Sequence, residues 1–433
     1  MQTNKIYKTP QLQTASNSPL NILEAKIIEN EEKIESWLTK QWKLSPAPVY
    51  GSVDLRNAGF KLAPVDMNMF PAGFNNLNRD LSPILIDASY HAITKYSPGN
   101  KKIMLIAESH TRNLFYWENV NILVNTLTQA GFDVKLSWLL EDSLNIKLSS
   151  NEILHIHPLV RNKNKIGTVD FEPDIILLNN DMSAGSPDIL KNLDQDILPP
   201  IELGWGSRLK SDHFQYYKNV INEFAKEINI DPWLVDPIFR RCDEVNFMHR
   251  EGEDCLYKNV EKLLLDIQQK YDEYNITQKP FVIVKADSGT YGMAVMTVRH
   301  ASEINSLNRK QRVTMAKSKS GQIVQKVIIQ EGIYSSETIG DNKFVAEPVI
   351  YLWGERVVGG FYRVNDKRGI DENLNAPGMS FHPLNYIDKK KDYLSTDTSH
   401  HNQNRFYVYG IIARLSMLAA ARETLASNNK SYS

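Results

Sequence analysis

A mixed α/β fold is predicted for this chain of 433 residues by three observations. Short apolar runs alternate with a helical pattern between Lys102 and Leu178. A strand, a glycine-bearing loop and a second strand follow one another from Phe281 to Val298. A long hairpin occupies Ala346 to Val364.

Taken in order, Leu20 to Trp42 has the helical period and one charged face. Val49 to Gly73 reads as two short strands joined by a turn. Lys102 to Ala107 is an apolar strand, Asn113 to Ala130 a helix, Phe132 to Leu136 a strand and Pro173 to Leu178 another. That alternation indicates a Rossmann-like layer built on a parallel sheet, because parallel strands need helical crossovers. Ile201 to Asp272 reads as mostly helical. Lys326 to Ile333 is a further apolar strand, Gly354-Glu355 makes the tight turn of the hairpin, and Asn373 to Gly378 is an irregular polar loop. An apolar helix runs from about Phe406 to Leu425. The expected organisation is residues 1–100 as an N-terminal helix with two strands, 101–200 as the Rossmann-like substrate layer, and 201–433 as a helical linker followed by the lobes that carry the glycine loop.

The most informative stretch is Phe281 to Val298. Phe281 to Val284 is rich in β-branched residues, as expected of a strand buried on both faces. Lys285 ends that run, and an ammonium there calls for an anion, because burying it unpaired is costly. Ser288, Gly289, Thr290, Tyr291 and Gly292 follow. Their hydroxyls and glycine backbone suit a loop that lines a polyphosphate. The spacing is neither that of a P-loop nor the GxGxxG turn of a dinucleotide site, and a plain hairpin with an exposed lysine remains the alternative. On the Lys326 to Ile333 strand, main-chain groups near Gln330 can read an adenine edge while Glu331 takes a ribose hydroxyl; the alternative is a solvated Gln-Glu pair. Arg363, near the end of the hairpin, can hold a phosphoryl group in bidentate fashion.

Asp54 closes one N-terminal strand, and Asp66 and Asn68 lie on the next. With a period of two, Asp66 and Asn68 point to one face, about 7 Å apart. These oxygens suit one magnesium site, the alternative being turns in which Asp and Asn cap backbone groups. Ligands in open α/β sheets bind at the carboxyl ends of strands, which draws attention to the loops Glu108 to Arg112 and Asn179 to Ser186. Arg112 can hold an α-carboxylate and Asp181 an amino group, and Arg56, Asn180 and Ser183 join them as candidate substrate ligands. Helix capping is the competing reading for these loop residues. Arg208, Lys210 and His213 can face an acidic ligand but read first as a solvated helix start, and Arg240-Arg241 with Asp243-Glu244 as a mixed charged helix face.

The formal net charge of −1, with scattered Lys and Arg, indicates no nucleic-acid surface. A polar N-terminus without an apolar core argues against secretion, and no run is apolar enough to cross a bilayer, so a cytoplasmic protein is expected. The two cysteines, Cys242 and Cys255, exclude a disulfide framework and a cysteine-rich zinc site, and read as structural. Hydrolase motifs such as GxSxG or HExxH are absent.

The order of strand lysine, glycine loop, VIIQEGI strand, and hairpin with Arg363 and an Asn-bearing loop resembles the ATP-grasp ligases, over roughly the second half of the chain. The resemblance implies ATP and Mg²⁺ held between two α+β lobes, and a metal-binding Asp and Glu-x-Asn pair beyond Gly378. No such pair follows Gly378. Asp54 and Asp66-x-Asn68 look like the missing piece with Asp in place of Glu. A circularly permuted ATP-grasp, as in eukaryotic glutathione synthetases, is therefore expected. The segments SVDLRNAGFKLAPVDMNMFPAGFNNLN, LIAESHTRNLFYWENV and VKADSGTYGMAV are similar to the small proteobacterial family of glutamate-cysteine ligases first associated with acidophilic thiobacilli. That resemblance implies ATP-dependent joining of the γ-carboxylate of glutamate to the amine of cysteine, through an acyl phosphate, as the first step toward glutathione. The alternatives are another ATP-grasp carboxylate-amine ligase, such as a glutathione synthetase, and a nucleotide-binding protein without catalysis.

Overall fold

The computed structural model describes residues 18–109, 113–289, 294–316, 323–384 and 406–430. At its centre lies an antiparallel sheet in the order Met379–Pro383, Arg356–Asn365, Phe344–Trp353, Tyr50–Asn57, Leu62–Asn68, with the short strand Thr338–Ile339 added to Phe344–Trp353. Strands from the two ends of the sequence are thus neighbours: Val53 lies opposite Ile350. The hairpin turns at Gly354, whose φ of 55° is the left-handed conformation that such a turn needs.

The strands Tyr50–Asn57, Phe344–Trp353 and Arg356–Asn365 serve two cores, because successive side chains point to opposite faces. Tyr50, Val349, Tyr351, Trp353 and Phe361 pack into one apolar cluster, with the parallel layer. Val53, Leu55, Ile350, Leu352, Tyr362 and Val364 belong to a second cluster, with the helix Phe406–Lys430. That helix is buried all round from Val408 to Ala421 except at Arg414, which explains why its sequence is apolar without a polar stripe. Among the described residues no helix is long and apolar enough to cross a membrane.

The parallel layer has the predicted alternation. Its strands run in the order Asp196–Leu198, Ile175–Asn179, Lys102–Ala107, Asp133–Trp138 and Ile153–Pro158, all parallel, with Leu144–Lys147 antiparallel at the edge. Helix Leu114–Gln129 is the crossover between Lys102–Ala107 and Asp133–Trp138. Polar stitches fix this layer to the central sheet. Tyr50 Oη donates to Leu178 O at 2.5 Å, and Asn179 Nδ2 donates to Pro71 O at 2.9 Å.

A third, four-stranded antiparallel sheet has the order Phe239–Cys242, Val327–Glu331, Val282–Ala286, Val295–Val298. Ile201 to Asp272 is mostly helical, as expected, but it also contains the strand Phe239–Cys242. Arg240 and Arg241 sit on this edge strand, not on a helix, and reach out to Asp266 at 2.7 Å and Asp212 at 3.5 Å. The single helix expected from Leu20 to Trp42 is two, Pro19–Glu29 and Glu31–Leu44. Asn30 breaks it, because its Nδ2 donates to Lys26 O at 2.8 Å and competes with the helical ladder.

The reading of Arg208, Lys210 and His213 as a solvated helix start is also corrected, since all three are buried. Arg208 makes a bidentate pair with Glu423 of the C-terminal helix, at 2.7 and 2.9 Å, and donates to Met67 O at 2.8 Å. His213 Nδ1 lies 3.2 Å from the same carboxylate. Burial pushes the Glu423 carboxyl up, but Arg208 and His213 outweigh it and hold it at about 2, against 4.5 in a free chain. This depressed value stabilises the fold above pH 4.5, and the contribution disappears as pH falls toward 2. Glu423→Gln should remove that acid dependence and cost about 3–5 kcal/mol at pH 7, because it strands a buried guanidinium. Urea unfolding of both proteins between pH 2 and pH 7 measures it.

Candidate active site

Two hollows open along the central sheet and share a wall made by Asp54, Asp66, Arg363 and Asn375. The larger, about 550 Å³, lies between the central and the four-stranded sheets and is lined also by Arg56, Lys285, Gln330, Glu331 and Glu347. The smaller, about 330 Å³, lies toward the carboxyl ends of the parallel strands, with Asn68, Glu108, Asn179, Asp181 and Trp205 in its wall. Such an end of a parallel sheet is the ordinary place for a ligand.

A β-bulge shapes the junction. Asp54 pairs with Asp66, but Leu55 pairs with Pro64, so Val65 is an extra residue in the ladder. Its carbonyl accepts a 2.7 Å hydrogen bond from Lys285 Nζ, which crosses from the four-stranded sheet. A second tie is made where Lys61, fully buried, meets Glu331 Oε2 at 2.6 Å. Trp233 Nε1 donates to Glu331 Oε1 at 3.2 Å. The backbone after Lys285 is also anchored: Asp287 takes Ser211 N at 2.7 Å and Ser211 Oγ at 2.6 Å, and so caps helix Lys210–Ile228 from outside it.

The charges of the junction are interleaved. Arg363 Nη1 lies 2.8 Å from Asp54 Oδ2 and 3.6 Å from Glu347 Oε2, the latter directly across the ladder from Arg363. Burial works against the Arg363 charge, and these two carboxylates hold it on. Its Nε is buried without a hydrogen-bond partner. Lys210 Nζ is 2.9 Å from Asp66 Oδ2 and 3.7 Å from the centre of the Trp205 ring. Burial pushes the Asp66 carboxyl up, but Lys210 and Lys285 hold it well below the usual carboxylate range. Burial lowers Lys285 to about 8, with Asp66 acting against that fall.

The structure therefore brings Lys285, Arg363, Gln330, Glu331, Asp54, Asp66 and Arg56 to one hollow, and Asn68 and Asp181 to its neighbour. Several of these groups already have partners. Arg56 donates to Ile333 O at 3.0 Å and Glu372 O at 2.7 Å, and pairs with Glu347 at 2.5 Å. Asn68 Oδ1 accepts from Phe70 N at 2.9 Å, and Asp181 Oδ1 from Ser183 N at 2.9 Å. Asn180 Oδ1 takes Met182 N at 3.1 Å, a local turn, and Asn180, Ser183, Ser288 and Gly289 do not line either hollow. Arg112, Thr290, Tyr291 and Gly292 lie outside the described residues.

Among the described residues no group of three or more His, Cys, Asp or Glu side chains is arranged to hold a metal ion by itself. Magnesium does not require one, since it is commonly held by one or two carboxylates together with substrate phosphates and water. Asp54 and Asp66, facing each other across antiparallel strands at the junction, fit that donor set. Glu347 was missed from the sequence, and Lys210 was noticed there but read first as solvated. Glu347 had a signal, as the one acid in the apolar run AEPVIYLW on the strand that faces Arg363. For Lys210 nothing local decided between the two readings, because its partner Asp66 is remote in the chain.

The depressed Lys285 has a measurable consequence for stability. Folded and unfolded chains are both protonated there below pH 8; between 8 and 10.5 only the unfolded chain keeps the proton, so stability rises with pH across that window. Lys285→Met should fold and should lose this rise, on the order of 3 kcal/mol. The quantity to measure is the difference between the two proteins in unfolding free energy at pH 8 and at pH 10.

A family model described as glutamate-cysteine ligase matches residues 24–424 of the chain. Among solved structures, a protein from Methylobacillus flagellatus KT, to which gamma-glutamylcysteine synthetase activity is provisionally assigned, has 46% sequence identity. It superposes with a TM-score of 0.89 over 97% of this chain and 99% of that one. A glutathione synthetase-like effector from Globodera pallida has 9% identity and a TM-score of 0.37, over 87% of this chain and 84% of that one, a likeness too distant to argue from. No curated protein matches significantly.

Proposed function

This chain belongs to the glutamate-cysteine ligase family, and from that premise we propose that its two joined hollows divide one reaction between them. The protein is an ATP-dependent ligase that forms γ-glutamylcysteine from glutamate and cysteine, the first step toward glutathione. ATP occupies the larger hollow, and the amino acids the smaller. The observation that carries this assignment is the shared wall: one cluster, Asp54, Asp66 and Arg363, borders both spaces, with Lys285 adjoining.

A carboxylate is a poor electrophile, so the γ-carboxylate of glutamate first takes the terminal phosphoryl group of ATP, releasing ADP. The amine of cysteine then attacks the acyl phosphate, phosphate leaves, and the amine gives up its proton. No side-chain nucleophile is needed, and positioning with charge neutralisation carries the rate. Lys285 and Arg363 supply the positive charge against the transferring phosphoryl oxygens. Arg363 is suited to this because its guanidinium is kept charged by Asp54 and Glu347 while Nε has no partner. Lys285, lowered to about 8, is poised to gain an anionic neighbour. When bound, Mg²⁺ neutralises phosphate charge and screens it from the attacking carboxylate. Asp54 and Asp66 would hold it, with Asn68 alongside. Gln330 and Glu331 take the adenosine end, Glu331 while retaining its bond to Lys61. In the smaller hollow Asp181 takes an α-ammonium group. Arg112 is the further proposed substrate ligand, whereas Arg56 lines the larger hollow and Asn180 and Ser183 line neither; the segment from Ser288 through Gly292 is the proposed phosphate loop.

The same reading makes the core a circularly permuted ATP-grasp. It is supported by the central sheet, in which the strands holding Asp54 and Asp66 lie beside the hairpin holding Arg363. On this reading residues 1–100 contribute the displaced metal-binding strands, 101–200 the substrate layer, and 201–433 the lobes around ATP. A cytoplasmic location suits an enzyme that consumes ATP and makes a thiol.

Phosphate release from Mg-ATP is expected only with glutamate and cysteine together, with a γ-linked dipeptide as product. Release with γ-glutamylcysteine and glycine alone would move the assignment to glutathione synthetase. Lys285→Ala and Arg363→Ala should each lower kcat by about 10²–10³-fold. Turnover left intact by both Asp66→Ala and Asn68→Ala would remove the metal assignment.

A further inference from the structure

Away from both hollows, the two cysteines of the chain face each other. Cys242 ends the edge strand Phe239–Cys242, and Cys255 is the third residue of helix Glu253–Glu273. Their sulfurs are 3.1 Å apart. Cys242 is buried and Cys255 exposed. A single amide serves both: Asn259 Nδ2 lies 3.3 Å from Cys242 Sγ and 3.4 Å from Cys255 Sγ, and donates to Cys255 O at 3.0 Å.

The intervening loop holds the sulfurs in this position. Asn246 and Glu251 exchange backbone hydrogen bonds at 3.0 and 3.1 Å, and Val245 N is bonded to Gln325 O at 2.9 Å. Gly252 has φ 76°, and a Cβ there would sit 2.2 Å from Glu244 O, so the chain turns into the helix only because that residue is glycine. None of these contacts serves the ligase reaction.

We propose that Cys242 and Cys255 form a thiol-disulfide exchange site that reacts with low-molecular-weight disulfides and closes a reversible intrachain disulfide. The exposed Cys255, in the first turn of its helix, loses its proton to solvent and attacks one sulfur of the disulfide as a thiolate. It forms a mixed disulfide and expels one thiolate. Cys242 then attacks the Cys255 sulfur, the Cys242–Cys255 bond forms, and the second thiolate leaves with the proton from Cys242. Two protein thiols are oxidised by two electrons, and one small disulfide is reduced to two thiols. Burial, with Cys255 next to it, pushes the Cys242 thiol up to about 12, which fits a residue that does not meet external reagents first. The link would join the edge strand to the helix beside it. Through the pairing of Phe239 with Gln330, that strand adjoins the one that lines the larger hollow.

The test uses the reduced full-length chain and oxidised glutathione as the probe, read by thiol titration and intact mass, and so does not depend on the ligase assignment. The expected result is loss of both titratable thiols, a mass lower by two hydrogens, a Cys242–Cys255 cross-linked peptide, and full reversal by dithiothreitol. Cys242→Ala should instead retain one glutathionyl group on Cys255, and Cys255→Ala should not react. The proposal is overturned if the wild-type chain keeps both thiols, if it holds a glutathionyl adduct without closing the bond, or if Cys255→Ala reacts as fast as wild type.

Discussion

The central sheet is covered on both faces, and charge can be placed on it only where charge answers it. Arg56, Glu347, Arg363 and Asp54 meet this condition as a connected group: Glu347 touches both arginines, and Arg363 reaches Asp54 in turn. Removing Glu347 would leave the buried Arg56 without a carboxylate, and removing Arg363 would leave Asp54 without its paired cation. The apolar residues of the same strands then have no freedom of register, because a slip of one place would drive this charged set into the core against the C-terminal helix. The two hollows, their shared wall and the alternation of the strands all follow from that constraint.

The contacts between the central and the four-stranded sheet are of a different kind. Lys285 meets a bare carbonyl, Val65 O, while Lys61 meets a carboxylate, Glu331. The first leaves an ammonium with its charge unanswered by the group it touches, and burial lowers its proton affinity. The second is a closed ion pair against the Trp233 ring, 4.2 Å from its centre. One lysine thus closes an ion pair between the sheets, and on the proposed function the other remains available to an anion. A pair of lysines doing both jobs identically would fix the cleft and leave nothing to bind with.

Much of the fold was legible because local pattern and tertiary role agree. The parallel layer, the hairpin around Gly354, the strand-loop-strand unit at Lys285 and the buried C-terminal helix each carry their period or their turn residues in the sequence. The failures have physical causes. Phe239–Cys242 is an edge strand of two arginines between two helices, with no apolar alternation to mark it. Arg208, Lys210 and His213 look like surface residues because their partners, Asp66 and Glu423, come from remote elements. In the site, Asp54, Asp66, Lys285 and Arg363 were individually visible as polar residue types on strands, although Asp54, expected to close its strand, lies inside Tyr50–Asn57. Their convergence depends on the pairing of Tyr50–Asn57 with Phe344–Trp353, which no local pattern encodes. Asn68 and Arg56 were visible too, but the partners that already use them were not.

That pairing also sets an order of assembly. As the chain is synthesised, the strands Tyr50–Asn57 and Leu62–Asn68 emerge early, yet the partner of Val53 is Ile350. The parallel layer between them can form from contacts close in sequence, and domains tend to fold as their residues appear. The early hairpin, in contrast, must wait for most of the chain with one edge unpaired and one apolar face uncovered until helix Phe406–Lys430 arrives. Closing so long a loop adds little to the equilibrium cost but slows the search. During that interval the nascent chain presents an open strand edge of the kind that chaperones shield and that aggregates recruit, so the distance between the halves of the sheet is a burden on its biosynthesis.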